Sequence, residues 1–167
     1  MHQLLAAIEG SAFGVWVRES PSMFAYTGLL SLHAIGLAFA VGFSWFIALR
    51  VLGVARAVPL ESVESLFPIM WAGFWVNFAS GVPLLISNAT RDFRNPVFLT
   101  KLAVIGLSAM TMVLLRREAF QKRPIEGNAL IGRNSRVLAG SVIVLWTAAI
   151  VAGRLSEYPW LYGLPSR

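Results

Sequence analysis

The sequence predicts an all-α integral membrane protein, a four-helix bundle with a short interfacial helix at its N-terminus. Hydrophobic residues make up 57% of the 167-residue chain, which exceeds the roughly 45–50% typical of soluble domains. The mean hydropathy of +0.69 agrees. Four nearly uncharged stretches are each long enough to cross a hydrocarbon layer of about 30 Å as a helix. We therefore expect residues 1–167 to form a single polytopic membrane domain.

The N-terminal segment, about residues 2–18, is predicted to be an amphipathic helix lying in the membrane interface. Its apolar residues fall near one helical face: Leu4, Leu5, Ile8, Ala12, Val15 and Trp16. That pattern is typical of helices that rest on a bilayer rather than cross it. No basic n-region or small-residue cleavage pattern is present, so no signal peptide is expected.

The four spans are predicted at about residues 21–50, 65–87, 96–115 and 137–153. Ser20–Pro21 and Asn95–Pro96 each pair a capping residue with a proline, which predicts the starts of the first and third spans. Pro83 predicts a kink late in the second span.

The distribution of Lys and Arg predicts the orientation. One side would hold Arg50, Arg56, Arg116, Arg117, Lys122, Arg123, Arg133 and Arg136, and the other Arg18, Arg91, Arg94, Lys101, Arg154 and Arg167. Because six of the first set crowd into the third loop, the positive-inside rule places both termini in the periplasm of a bacterial inner membrane. The net charge of +6 is then explained by loops and anionic lipid. We expect a lipid bilayer and other membrane subunits, or further copies of this chain, as partners, and no nucleic acid.

Composition and motifs exclude several kinds of chemistry. The chain has no cysteine, so it can form neither disulfides nor thiolate metal sites. It shows no catalytic triad, no paired intramembrane carboxylates and no phosphate-binding glycine pattern. These features do not predict a hydrolase or a kinase, and we do not expect the chain to be an enzyme on its own.

His33 is the first candidate functional residue because ionisable groups inside a membrane are costly and usually face the bundle interior. Gly36 and Ala40 follow on the same helical face and leave a shallow groove beside it. The groove permits close approach of another helix, with His33 donating a hydrogen bond across the contact. Alternatively, it offers a bare surface for a haem whose iron His33 ligates.

Other polar residues extend this candidate site. Asn77 is expected at the depth of His33, so a hydrogen bond between them is the simplest expectation. Lys101 and Arg154 are expected near the outer surface, either as interfacial side chains or, turned inward with Asn88, as a cationic pocket. Such a pocket would suit haem propionates, a quinone headgroup or a small anion. Met110 is a candidate thioether ligand that could join His33 in binding copper or haem, although methionine is also a common core residue.

Five segments, "LHAIGLAFAVG", "ALRVLG", "GFWVNFASGVPLLI", "NPVFLTK" and "LWTAAIVAGRLSEY", resemble a family of small bacterial four-span membrane proteins, domain of unknown function 6644. The family pattern maps onto His33, Gly36, Gly42, Arg50, Gly53, Gly81, Asn95, Phe98, Lys101, Trp146, Gly153, Arg154 and Tyr158. Two positions depart from it: Ala48 replaces a common acidic residue, and Leu115 replaces a frequent second histidine.

That family is distantly similar to copper-resistance D-type proteins and to HemJ-type protoporphyrinogen oxidases. The similarity implies a role for His33 in binding haem b or copper, with Lys101 as its partner. Without the second histidine, a haem would be held by His33 alone, with a methionine opposite, or between two copies. The resulting prediction is a small accessory subunit of a redox-linked membrane complex that holds haem b or quinone near the outer face. A copper-handling protein and a structural anchor without cofactor are the alternatives.

Overall fold

The computed structural model describes residues 2–54, 56–121 and 132–158, and within these ranges every regular element is helical. In chain order the helices are α1 (His2–Glu9), α2 (Ala12–Glu19), α3 (Tyr26–Leu52), α4 (Leu60–Glu64), α5 (Phe67–Ser87), α6 (Ala89–Asp92), α7 (Pro96–Arg116) and α8 (Arg133–Leu155). A π-helical turn, Arg117–Gln121, follows α7 directly. This confirms the predicted all-α class.

Four stretches are long and apolar enough to cross a membrane: Tyr26–Leu52, Leu60–Ser87, Pro96–Gln121 and Arg133–Leu155. Their mean hydropathies lie between 1.5 and 2.0. Large apolar side chains remain on their outer surfaces, for example Trp75 on α5 and Val144 on α8. In water such surfaces would drive association, whereas in a bilayer they contact acyl chains. The chain is thus a multi-pass membrane protein.

Two long-helix pairs make up the bundle. Helix α3 packs most extensively against α5, and α7 packs against α8. A smaller contact between α3 and α8 joins the two pairs. The main apolar core lies where they meet, and it includes Ile47, Phe67, Met112 and Trp146.

The helices differ from the predicted ones mainly at their ends. The third span agrees closely: Asn95 caps α7, and its side-chain oxygen accepts from the backbone N–H of Val97 at 3.0 Å. The first span was expected to start after Ser20, but Ser20 instead closes α2 and α3 begins at Tyr26. Part of the predicted third loop, residues 122–131, lies outside the described residues.

The N-terminal segment forms two short helices rather than one. Ser11 ends α1 through its hydroxyl, which donates to Ile8, and starts α2 by accepting from the backbone N–H of Gly14. Polar contacts then hold α1 against α6 and α2 against the end of α5. The Glu9 carboxylate accepts from the backbone N–H of Thr90 at 2.8 Å, and Arg18 donates to the carbonyl of Ser87 at 3.1 Å.

The short helices and turns gather at two opposite ends of the bundle, which we call the α6–α7 end and the α3–α4 end. The α6–α7 end carries α1, α2, α6, the start of α7 and the end of α8. The α3–α4 end carries the turn between those helices, the π-helical turn and the start of α8. At the α3–α4 end, Gly53 closes α3 in a left-handed conformation (φ 93°), which glycine adopts without steric cost.

Candidate functional site: the His33 contact between α3 and α5

The closest approach of α3 and α5 is built on two glycines. A methyl group added to Gly36 would lie 2.5 Å from the backbone nitrogen of Asn77. One added to Gly73 would lie 2.5 Å from Cβ of Phe39 and 2.8 Å from the backbone nitrogen of Ala40. Since real Cβ contacts are longer than this, only glycine lets the two backbones come so close. The small-residue face of α3 is therefore a helix-packing surface.

His33 and Asn77 join the two helices by a reciprocal pair of hydrogen bonds. The Nδ1 atom of His33 lies 2.8 Å from the carbonyl oxygen of Asn77, and the side-chain amide of Asn77 donates to the carbonyl of His33 at 2.8 Å. Ser80, on the next turn of α5, places its hydroxyl 3.4 Å from the same Nδ1 atom. The predicted contact between His33 and Asn77 is present.

The hydrogen bond to the carbonyl of Asn77 shows that Nδ1 of His33 carries a proton. A carbonyl oxygen only accepts, so Nδ1 must carry the proton that it donates to Asn77. In the neutral ring the electron pair is then on Nε2, for which the described residues supply no hydrogen-bond donor. Gly81 lies under the ring, since a methyl group there would meet Cε1 of His33 at 3.0 Å. The side chain is half-buried and its orientation is set by α5.

Lys101 approaches the same region from α7. Its alkyl chain lies along Gly153 of α8, where a methyl group would be 3.5 Å from Cε of the lysine, and its ammonium lies 5.7 Å from the centre of the Phe98 ring. The Lys101 ammonium lies within electrostatic range of His33, Asp92 and Glu157. Its ammonium is thus partly balanced by acidic groups instead of facing only other cations.

A charged network at the α6–α7 end surrounds this lysine and was not predicted. Arg91 pairs with Asp92 at 3.1 Å and with Glu157, just after α8, at 3.6 Å. Burial raises the pKa of Asp92 above its usual 3.8, and the attraction of Arg91 opposes that rise. One signal was available in the sequence, because Asp92 is its only aspartate, but its partners are set by tertiary structure.

Arg154 and Met110 make no described contact with His33. Arg154 is exposed in the last turn of α8, and no contact in the described chain joins it to His33. Met110 is 57% exposed on α7 and lies about 13 Å farther along that helix than Lys101, at 1.5 Å per residue. Within the described residues no group of three or more His, Asp or Glu side chains could hold a metal. The copper pair of His33 and Met110 therefore stays a prediction.

The fit of a haem is mixed. His33 has the chemistry of an axial haem ligand, because Nδ1 donates to a backbone carbonyl and leaves Nε2 for the iron, as in most metal-bound histidines. The face expected to receive the macrocycle does not suit it, because Gly36 and Ala40 are both buried against α5. A quinone headgroup needs neither a second axial ligand nor that face.

Comparison with known proteins identified no matching family model, curated protein or solved structure. The resemblance to the four-span family therefore remains a prediction.

Proposed function

We propose that this chain is a small integral membrane subunit of a redox-linked complex, in which His33 presents Nε2 to a membrane-embedded cofactor, haem b or a quinone. The observation that carries the proposal is the 2.8 Å bond from Nδ1 to the carbonyl of Asn77, which directs the electron pair of the neutral ring to Nε2. An imidazole oriented in this way can ligate a metal. It can equally accept a hydrogen bond from a quinol hydroxyl.

The charges around Lys101 support a ligand that carries oxygen atoms. Haem propionates or a quinone carbonyl would accept hydrogen bonds from the Lys101 ammonium. Asp92 and Glu157 offset that charge, so a neutral or weakly anionic ligand fits better than a free multivalent anion. A bound haem or quinone would supply the electron-transfer chemistry. The residues of this chain orient the imidazole and provide the balancing charge.

The test is an absorption spectrum of the protein purified in mild detergent, together with chromatography of its organic extract. We expect a haem Soret band or close to one quinone per chain. His33→Gln should lose the ligand, because glutamine offers no Nε2 of imidazole type. Asn77→Ala is the matched control, since it disturbs the same helix contact but keeps the imidazole, and it should retain most of the ligand.

Two results would count against this proposal. One is a wild-type protein that, purified from its native membrane, contains neither haem nor quinone. The other is a His33→Gln variant that retains the ligand of the wild type, which would place the cofactor elsewhere.

The aromatic surface of α5 favours a second candidate, an anchor subunit without cofactor. Trp71, Phe74, Trp75 and Phe78 form a chain of edge-to-face ring contacts with centroids 5.3–5.7 Å apart. Trp75 is 59% exposed and Phe78 55% exposed. Tryptophan in a membrane usually lies at the interface with water, yet Trp75 lies near the middle of α5. Such a surface suits the helices of a larger complex.

Site-specific photocrosslinking distinguishes this candidate. A crosslinking amino acid at position 75 should capture one defined membrane protein, while the same group at Val144, also exposed at 66%, should label lipid. Equal labelling from both positions would remove the support for an anchor role of α5.

A further inference from the structure

A long apolar groove lies on the opposite side of α3 from the His33 region, towards the α3–α4 end. Its volume is about 690 Å³, within the range of small-molecule sites. One wall is the α3 surface formed by Ala38, Phe39, Gly42, Phe43 and Phe46, and the other is formed by Val58, Ser62 and Leu66. We call it the α3–α4 groove.

The groove is open on the surface of a membrane-spanning helix. Phe39 is 47% exposed and Phe46 39% exposed. A methyl group built on Gly42 would meet no atom within 4 Å in the described chain. This glycine therefore differs from Gly36, because its missing side chain leaves space that no helix of the described chain fills.

The groove has the length of one bilayer leaflet. Ala38 and Phe46 are about 12 Å apart along the axis at 1.5 Å per residue, and Val58 extends the groove into the α3–α4 turn. Half of a typical hydrocarbon core is about 15 Å. A single acyl chain that enters from the α3–α4 end would therefore reach about the middle of the membrane.

A cation without an acidic partner lies in the same α3–α4 turn as Val58, which lines the groove. Arg56 is two residues from Val58 and is exposed. Its Nε donates to the carbonyl of Gly53 at 3.1 Å, and it forms no ion pair with any carboxylate among the described residues. A basic residue at a membrane surface attracts anionic lipid headgroups, by about 1 kcal/mol for each Lys or Arg.

We propose that the α3–α4 groove is a binding site for an anionic phospholipid, with one acyl chain in the groove and the phosphate at Arg56. The apolar lining accounts for the chain, and the unpaired guanidinium accounts for the headgroup. Ser62, in the wall formed by α4, adds a hydroxyl to the lining. A transmembrane helix of a second copy would also cover the phenylalanines, but an apolar helix face would leave Arg56 without a counter-charge. This site is independent of the His33 site.

Native mass spectrometry of the full-length protein tests the proposal, with phosphatidylglycerol and phosphatidylcholine added in parallel. The wild type is expected to retain one phosphatidylglycerol in preference to phosphatidylcholine. Arg56→Gln should reduce retention of phosphatidylglycerol by about fivefold, the equivalent of about 1 kcal/mol, and remove most of the preference. Glu61→Gln should increase retention, because it removes the acidic residue in the first turn of α4.

Gly42→Leu tests the acyl-chain part of the site. Leucine has room at this position, so the variant is expected to fold, and it should weaken binding of both lipids by filling the groove. Gly106→Leu is the matched control, because a methyl group there also meets no atom within 4 Å in the described chain and α7 does not line the groove. Arg136→Gln controls for loss of an exposed arginine near the same end.

Three outcomes would overturn the proposal. In the first, Gly42→Leu retains both lipids as the wild type does. In the second, Arg56→Gln keeps the full preference for phosphatidylglycerol. In the third, the wild type appears as a dimer that Gly42→Leu dissociates and that does not respond to lipid charge, which would assign the groove to a second copy of the chain.

Discussion

The two long-helix pairs of this bundle differ in how closely glycine brings their backbones together. In the α3–α5 pair, Gly36 and Gly73 lie at the helix contact, where a methyl group would collide with backbone atoms of the other helix. In the α7–α8 pair, Gly153 faces only the side chain of Lys101, at ordinary contact distance, and methyl groups on Gly106 and Gly140 would meet no atom within 4 Å in the described chain. The first pair also has the His33–Asn77 hydrogen bonds within the membrane. The second pair has its cross-helix hydrogen bond at the helix ends, from Asn95 to the carbonyl of Ser156 at 2.9 Å. A glycine in a membrane span thus indicates close helix packing only when the facing helix also has a small residue or a hydrogen-bonding side chain at the same depth.

The largest expected effect comes from filling the α3–α5 contact. Gly36→Leu should lower the free energy of unfolding by about 3 kcal/mol, because overpacking against backbone cannot be relieved by rotating a side chain. Gly106→Leu should change it by less than about 0.5 kcal/mol, as is usual for exposed positions. Unfolding with sodium dodecyl sulfate in mixed micelles, followed by circular dichroism, measures both. Equal losses in the two variants would contradict the distinction between the pairs.

The next effect tests the end contact of the α7–α8 pair. Asn95 is 4% exposed and both caps α7 and bonds to Ser156, so Asn95→Ala should cost about 1–2 kcal/mol. Asn95→Ser keeps a capping oxygen, adds no charge and loses the amide donor, so it should cost less. If both variants lose the same stability in the unfolding assay, the cap contributes little.

A smaller effect is expected at the hydrogen bonds of the α3–α5 pair. Asn77→Ala should cost about 1 kcal/mol, since cross-helix hydrogen bonds in membranes average somewhat less than that. The double variant with His33→Ala should lose less than the sum of the two single variants, because the residues contact each other directly. Thr147→Ala is a suitable control, as its exposed hydroxyl donates only within its own helix, to Ile143. Strict additivity would show that the two hydrogen bonds are not coupled.

The smallest effect concerns the pH dependence at Asp92, which lies between the pairs in α6. Burial raises its pKa, so the folded state favours the protonated carboxyl and the ionised form lowers stability at neutral pH. This penalty diminishes as the pH falls through the raised pKa and is absent below the usual value of 3.8. The difference in melting temperature between Asp92→Asn and the wild type should therefore shrink between pH 7 and pH 4. Glu19→Gln, at a carboxylate 62% exposed, provides a surface control, and a constant difference would contradict the expected sign.

Capping residues and prolines predicted a helix boundary correctly where they belonged to a single helix. Asn95 and Pro96 marked the start of α7 because both the cap and the proline belong to that helix. The prediction that Ser20 and Pro21 mark the start of the first span was wrong. Serine and proline also occur where helices end, and here Ser20 caps the C-terminus of α2. The separate helix α4 was not predicted, since its short segment merges with the apolar start of α5.

The candidate site was predictable only in part. The matching depths of His33 and Asn77 predicted their contact, because helix rise alone sets depth in a span. The network of Arg91, Asp92 and Glu157 was not predictable, since it depends on how the end of α8 packs against the loop that contains α6. The position of α5 also depends on tertiary packing, so the sequence allowed two interpretations of the Gly36 face, a helix contact or a surface for haem. In the structure α5 covers that face.

The pairing of sequential helices has a consequence for biogenesis. Because α3 packs chiefly on α5, and α7 on α8, each antiparallel hairpin contains its own main contact. The ribosome therefore delivers the complete first hairpin before the second one has been made, and the glycine-mediated junction can form inside the translocon without waiting for the rest of the chain. Because α8 is synthesised last, the contact between α3 and α8 can form only after the second hairpin is complete, and it joins two hairpins that are already paired.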